Sequence, residues 1–252
     1  MQRYFGILLV CVLVFAPGSN SAYAYDSPHT YGIELRGGFG IYDMGDVNPT
    51  TDRMARASNL SDAAATSDNG PMGGVSLLFR PARHGLWEVG YNAILDVENT
   101  VESTIPDTGG FKNGSILMHA NEFFLKAHLV PWIGDRLNFN LGLGLAYYNV
   151  ELQIQDDFYR QYTYDAVGRA WGLLGSVGLE FLLSDRLGLN VQGGGRLANA
   201  THFTYEPTIG VRNGLEIPGG SRPMEVNISG AYGSVGLRVY FDKVFPPVDF
   251  SR

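Results

Sequence analysis

Cysteine is almost absent from this chain of 252 residues, the one instance being Cys11. It sits inside an N-terminal apolar run, so everything after that run has no thiol for a disulfide or a soft metal. Charge is scarce as well, at 17% of residues against about 25% in ordinary domains. The 18 bases are outnumbered by 25 acids, giving a net charge of −7. That balance leaves no basic surface to hold a phosphate backbone and excludes nucleic acid as a partner. After residue 24 there is no run of 18 apolar residues, so no helical membrane span is expected. The histidines, at 29, 84, 119, 128 and 202, include no pair at metal-binding spacing, and no metal site is expected. Gly193-Gly-Gly-Arg-Leu-Ala198 fits a dinucleotide fingerprint, but it falls inside a strand pattern with no helix after it, so no cofactor is expected.

Residues 1–24 read as an export address. Arg3 gives the positive start, Phe5 to Phe15 the apolar core, Pro17-Gly18 the break, and Ala22-Tyr23-Ala24 the small-x-small cleavage site. The expected mature chain begins at Tyr25. An apolar core of this length is too short for a span of about 20 residues.

What the chain has in abundance is alternation. From Leu137 the odd positions read Leu137, Phe139, Leu141, Leu143, Leu145 and Tyr147, while the even ones read Asn138, Asn140, Gly142, Gly144 and Ala146. A period of two marks strands with two unlike faces. Eight such segments are expected, at about 31–42, 72–80, 86–98, 116–129, 137–153, 170–183, 187–203 and 227–241. The turns at 81–85, 132–136 and 184–186 are short; the connections 43–71, 99–115, 154–169 and 204–226 are long and polar. Short turns at one end and long loops at the other predict an all-β fold, an eight-stranded up-and-down antiparallel transmembrane β-barrel. The expected domain is 25–241, with a short tail at 242–252 that Pro246-Pro247 keeps from extending a strand. A short helix over the mouth is expected within Asp52–Ala65, and Asp43, Asp46 and Asp156-Asp157 are read as solvated loop charge.

Hairpin pairing tests the faces. Phe79 opposite Trp87 places Leu77 on Val89 and Val75 on Tyr91; Pro131 opposite Leu137 places Leu129 on Phe139 and Leu125 on Leu143. The apolar positions form stripes across strands. The other face collects Glu34, Arg36, Arg80, Glu88, Glu122, Lys126, His128, Glu180, Arg196 and Arg238. In lipid each such charge costs up to a few kcal/mol at mid-depth, so these residues are expected to line the lumen and pair there. Trp87, Trp132, Trp171, Tyr31, Tyr42, Tyr147 and Tyr232 lie near strand ends and are expected to form aromatic girdles. Inward Gly38, Gly40, Gly90, Gly142 and Gly144 are expected to make room for long neighbours.

Val235-Gly-Leu-Arg-Val-Tyr-Phe241 resembles the last-strand signal, ending in an aromatic, of the small eight-stranded Gram-negative outer-membrane barrels of the OmpA, OmpX and OmpW kind. The sequence departs from that pattern by continuing from Asp242 to Arg252. The resemblance implies the bacterial outer membrane, with Phe241 read by the assembly machinery and outer-membrane lipid and lipopolysaccharide as surroundings. A monomer is expected. The expected function is a non-enzymatic anchor presenting surface loops for binding. The alternative, as OmpW-type resemblance implies, is a narrow conduit for small apolar molecules, along inward Leu78, Ile94, Met118, Phe124 and Leu174. A lipid-modifying enzyme would need Ser115 with His119, or Thr201-His202 with Glu206, brought within hydrogen-bond reach; no catalytic residue is expected.

Overall fold

The computed structural model describes residues 30–57, 64–65, 67–82, 84–104, 111–134, 136–156, 162–205, 212–213 and 224–241. The expected leader and tail lie outside them. Eight long strands carry the fold: β1 (Thr30–Tyr42), β2 (Asn69–Ala82), β3 (Gly85–Thr104), β4 (Phe111–Ile133), β5 (Leu137–Asp156), β6 (Tyr162–Leu182), β7 (Leu187–Tyr205) and β8 (Gly230–Tyr240). Each pairs antiparallel with its sequence neighbours, and β8 returns to β1, so the sheet closes on itself. Closure leaves the long strands no free edge, which is what a strand in lipid requires. No helix among the described residues is long and apolar enough to cross a membrane.

The β2–β3 hairpin has the expected register, Phe79 on Trp87 and Leu77 on Val89. The β4–β5 hairpin is displaced by two residues from expectation, with Leu129 on Leu141 and Leu125 on Leu145. The ladder runs further into the turn, to Ile133 on Asn138, and a bulge between Leu129 and Trp132 takes up the extra residue. Because the shift is even, every side chain keeps its face.

The middle strands outrun their expected ends. The β3–β4 and β5–β6 connections shrink to 105–110 and 157–161, where the sequence predicts long polar loops at 99–115 and 154–169. Hydrogen-bonded ladder continues through those polar stretches, for a reason visible on the faces of the strands. On β5 the inward side chains begin with Asn138 and Asn140 and change to Ala146, Val150, Leu152 and Ile154, all buried. The outward ones begin with exposed Leu141 and Leu143 and change to Asn149, Glu151 and Gln153. Apolar and polar faces exchange sides near Tyr148. On β3 the exchange coincides with a bulge between Ile94 and Val97, where Asp96 has φ 31° and both Leu95 and Asp96 face outward. The lower barrel is therefore greasy outside and polar inside, and the upper barrel is the reverse, as in a water-soluble barrel.

The upper interior is a packed apolar core. Ile94, Val97, Ile116, Met118, Phe124, Val150, Leu152, Leu174 and Phe203 join Met44 and Val47 from one mouth segment and Met224, Val226 and Ile228 from another. The helix α1 (Val47–Ala57) starts five residues before the expected stretch and packs on β3 and β4. Asp46 caps it, its carbonyl accepting from Thr50 N at 3.0 Å. The strand expected at 227–241 is divided: Val226–Asn227 pairs with β7 at Ala200 and Asn199, and β8 begins at Gly230. Between them Ser229 Oγ takes the Ala198 N–H at 3.0 Å and interrupts the ladder.

Candidate functional site

The ten charged residues assigned to the inner face all lie on it, none more than 7% exposed. Eight of them form one connected layer in the lower lumen. Arg238 Nε donates to Glu34 Oε2 at 2.5 Å and its Nη1 to Glu180 Oε1 at 3.2 Å. Arg36 sits 3.3 Å from Glu34 and also binds Glu88, which in addition meets Lys126 Nζ at 3.0 Å and His128 Nε2 at 2.8 Å. Arg80 reaches Glu180 Oε2 at 3.4 Å and extends the layer toward the short turns. Tyr240 OH and Asn138 Nδ2 donate to the same carboxylate. Each acid thus answers more than one donor, as charges withdrawn from water must.

Arg196 and Glu122 stand apart, one storey up, with Arg196 Nη1 3.2 Å from Glu122 Oε2. Asn92 Nδ2 at 2.5 Å and Tyr148 OH at 2.7 Å complete the Glu122 carboxylate. The Arg196 guanidinium lies over two rings, 5.4 Å from that of Tyr42 and 4.9 Å from that of Tyr232. These are two of the seven aromatics expected in the girdles, and both in fact point into the lumen. Nearness to a strand end says nothing about face; their parity, shared with Arg36 and Arg238, does.

The other five face outward. Tyr31 and Trp132 are each 53% exposed and Trp171 is 74% exposed, with Trp87 and Tyr147 half-buried among neighbours. Tyr31 stacks on Phe79 at 5.0 Å, and Phe79 pairs with Trp87. At the other end Tyr91, Phe123, Tyr147 and Trp171 are successive cross-strand partners, an unbroken row across β3 to β6 that includes two rings absent from the expected girdle. Directly beyond it runs a polar row, Asn121, Asn149 and Arg169. Tyr91 OH donates to Asn121 Oδ1 at 2.5 Å and ties the two rows together.

Four of the five inward glycines make room for a large neighbour, Gly40 for Tyr42 among them, whereas at Gly38 a Cβ would meet the Gly233 backbone and Ser234. A Cβ on Gly142 would come within 2.7 Å of His128 Nδ1, one on Gly144 within 2.5 Å of Lys126 Cγ, and one on Gly90 within 2.5 Å of Phe124. The space each omits is occupied by a charged or aromatic neighbour. Two of the acids read as solvated have partners at the mouth: Asp46 is buried and its Oδ2 accepts from Glu225 N at 3.0 Å, while Asp43 Oδ2 accepts from Asn227 Nδ2 at 2.5 Å; Asp157 lies outside the described residues. Gly45, at φ 54°, makes the corner possible, since a Cβ there would lie 2.8 Å from Asn227 N.

Residues considered for acid–base chemistry are dispersed. His119 Nδ1 pairs with Asp96 Oδ1 at 2.8 Å on the outer wall. Ser115 is four positions away along β4, about 13 Å at the strand rise. His202, on β7, holds the Thr201 hydroxyl at 2.8 Å, and Glu206 lies outside the described residues. Among the described residues no group of three His, Cys, Asp or Glu is placed to hold a metal ion.

The chain is similar to a major outer membrane protein from Thermus thermophilus, with a TM-score of 0.51 and 14% identity over 84% of this chain and 100% of that one. The fold is the bacterial outer-membrane β-barrel. OprG from Pseudomonas aeruginosa (TM-score 0.46, 14% identity, 84% of this chain and 97% of that one) and Neisserial surface protein A (TM-score 0.43, 11% identity, 83% and 96%) are also similar to it. No protein-family model matches the chain, and no curated protein matches it by sequence. In barrels of this fold the short turns face the periplasm and the long-loop mouth, where α1 and the 224–229 segment lie in this chain, faces the cell exterior. The two aromatic rows lie at the heights where barrels of this fold carry their interfacial girdles, and the upper storey lies beyond the upper row.

Proposed function

We propose that this outer-membrane barrel is a non-enzymatic anchor that carries a rigid extracellular storey and presents its mouth segments for binding. One observation carries the reading: the lumen is occupied at two successive levels, by paired charges from Glu34, Arg36, Glu88, Lys126, Glu180 and Arg238 below and by a continuous apolar core above. Ile94, Met118, Phe124 and Leu174, the inward apolar residues that a conduit would use as its wall, are part of that core and pack against Met44, Val47 and Ile228. The separation of Ser115 from His119 supports the absence of catalysis. The partners implied are outer-membrane lipid and lipopolysaccharide around the belt, and the assembly machinery at exposed Phe241.

Flux tests the reading. Purified, refolded protein in planar bilayers is expected to give no steady conductance, and liposomes containing it no uptake of an apolar dye above the protein-free rate. Saturable dye uptake would overturn the anchor in favour of a conduit for small apolar molecules.

A further inference from the structure

The bases and acids within the membrane-level lumen do not balance. Arg36, Arg80, Arg196 and Arg238 are four permanent guanidinium cations and Lys126 is a fifth base, against the four acids Glu34, Glu88, Glu122 and Glu180, all of them buried. Among the described residues Glu122 pairs with one base, Arg196, and Glu88 and Glu34 are shared between Arg36, Lys126 and Arg238. Arg80 is left with one charge contact, the longest in the lower layer at 3.4 Å, to a carboxylate that already serves Arg238, Tyr240 and Asn138. Arg80 Nε and Nη1 and Arg238 Nη2 are buried and have no hydrogen-bond partner among the described residues. A guanidinium does not shed its proton in a protein, and a buried cation without an anion is costly.

We propose that the lumen binds one small monovalent anion of the halide class beside Arg80, where two guanidinium groups share the Glu180 carboxylate. One guanidinium, that of Arg80, is left under-compensated, so a divalent anion would overcorrect it. The Arg80, Arg238 and Glu180 side chains that make the place are no more than 3% exposed, which favours a compact spherical ion over a polyatomic one. Leu78, Leu86, Val130 and Tyr240 cluster in the same lower lumen and screen the ion from periplasmic water, so it exchanges slowly and acts as a structural part of the barrel. The site is independent of what the mouth binds.

The test has two arms. Crystals of the refolded barrel grown in sodium bromide are expected to show an anomalous difference peak in contact with the Arg80 guanidinium. In detergent at constant ionic strength, replacing gluconate by chloride is expected to raise the Tm by a saturable step on the order of 2–4 °C, and Arg80→Gln to abolish the step. Absence of the peak in wild-type crystals, or equal Tm in gluconate and chloride, would overturn the proposal even if Arg80→Gln fails to fold. A chloride step that survives Arg80→Gln, or that arises only in Asp242→Asn, would also overturn it, the latter by showing that the chain's own tail supplies the missing carboxylate.

Discussion

Arg238 on the last strand binds Glu34 on the first at 2.5 Å, and the two are direct cross-strand partners. The seam that closes the barrel is thereby joined from inside by an ion pair as well as by its ladder. Arg238→Met leaves Glu34 and Glu180 buried with weakened compensation and is expected to cost about 3–5 kcal/mol of folding stability. Glu34→Gln combined with Arg238→Met is expected to cost less than the sum of the two single changes. A urea titration of refolded protein in lipid vesicles measures both, and additivity would mean that the pair does not couple.

Charge tolerance is expected to change sign along a single strand. Leu143 faces lipid below the aromatic row, and Leu143→Arg is expected to cost roughly 2–4 kcal/mol. Glu151, on the same face eight residues on, lies exposed above that row, and Glu151→Arg is expected to be silent. Val150, buried in the upper core, should reject Asp. Refolding yield of the three variants checks the order, and a damaging Glu151→Arg would mean that lipid reaches higher than the row of Tyr91 and Trp171.

Two glycines on opposite faces of the barrel wall should respond in opposite ways to one methyl group. A Cβ at Gly37 meets nothing within 4 Å, whereas at Gly90 it meets the Phe124 ring and Ser76. Gly37→Ala is expected to be neutral or to stabilise by about 0.4–1 kcal/mol through the unfolded chain. Gly90→Ala should destabilise by about 1–3 kcal/mol through overpacking. Midpoints of denaturant unfolding decide it.

Lipid A from cells expressing the wild type, His119→Ala or His202→Ala is expected to be identical by mass spectrometry. A modification present with wild type and lost with either substitution would replace the non-enzymatic reading.

Strand number, barrel closure and the inward charges are legible in the sequence because a period of two is imposed locally by the pleat and because charge so strongly prefers the lumen to lipid. The β4–β5 register is not read from the alternation alone, although Pro131 marks the bulge, because proline cannot donate to the ladder and the pattern of faces is unchanged by an even shift. The upper storey reads as loops for a physical reason. Asn149, Glu151 and Gln153 are polar because their face meets water, yet their alternation with Val150, Leu152 and Ile154 never stops. The signal is present as an exchange of parity at Tyr148 and requires reading both faces together. For Tyr42 and Tyr232, position along the strand points to the girdle, while face is the property that decides.

The exchange of faces also settles how deeply the molecule sits. Sliding the barrel outward would lift Phe123 and Leu145 into water, and sliding it inward would draw Asn149 and Arg169 into hydrocarbon. Both displacements are opposed on β4, β5 and β6 at once, so vertical position is written into the chain. A bilayer thinner or thicker than the band between the two aromatic rows must itself deform at the barrel wall.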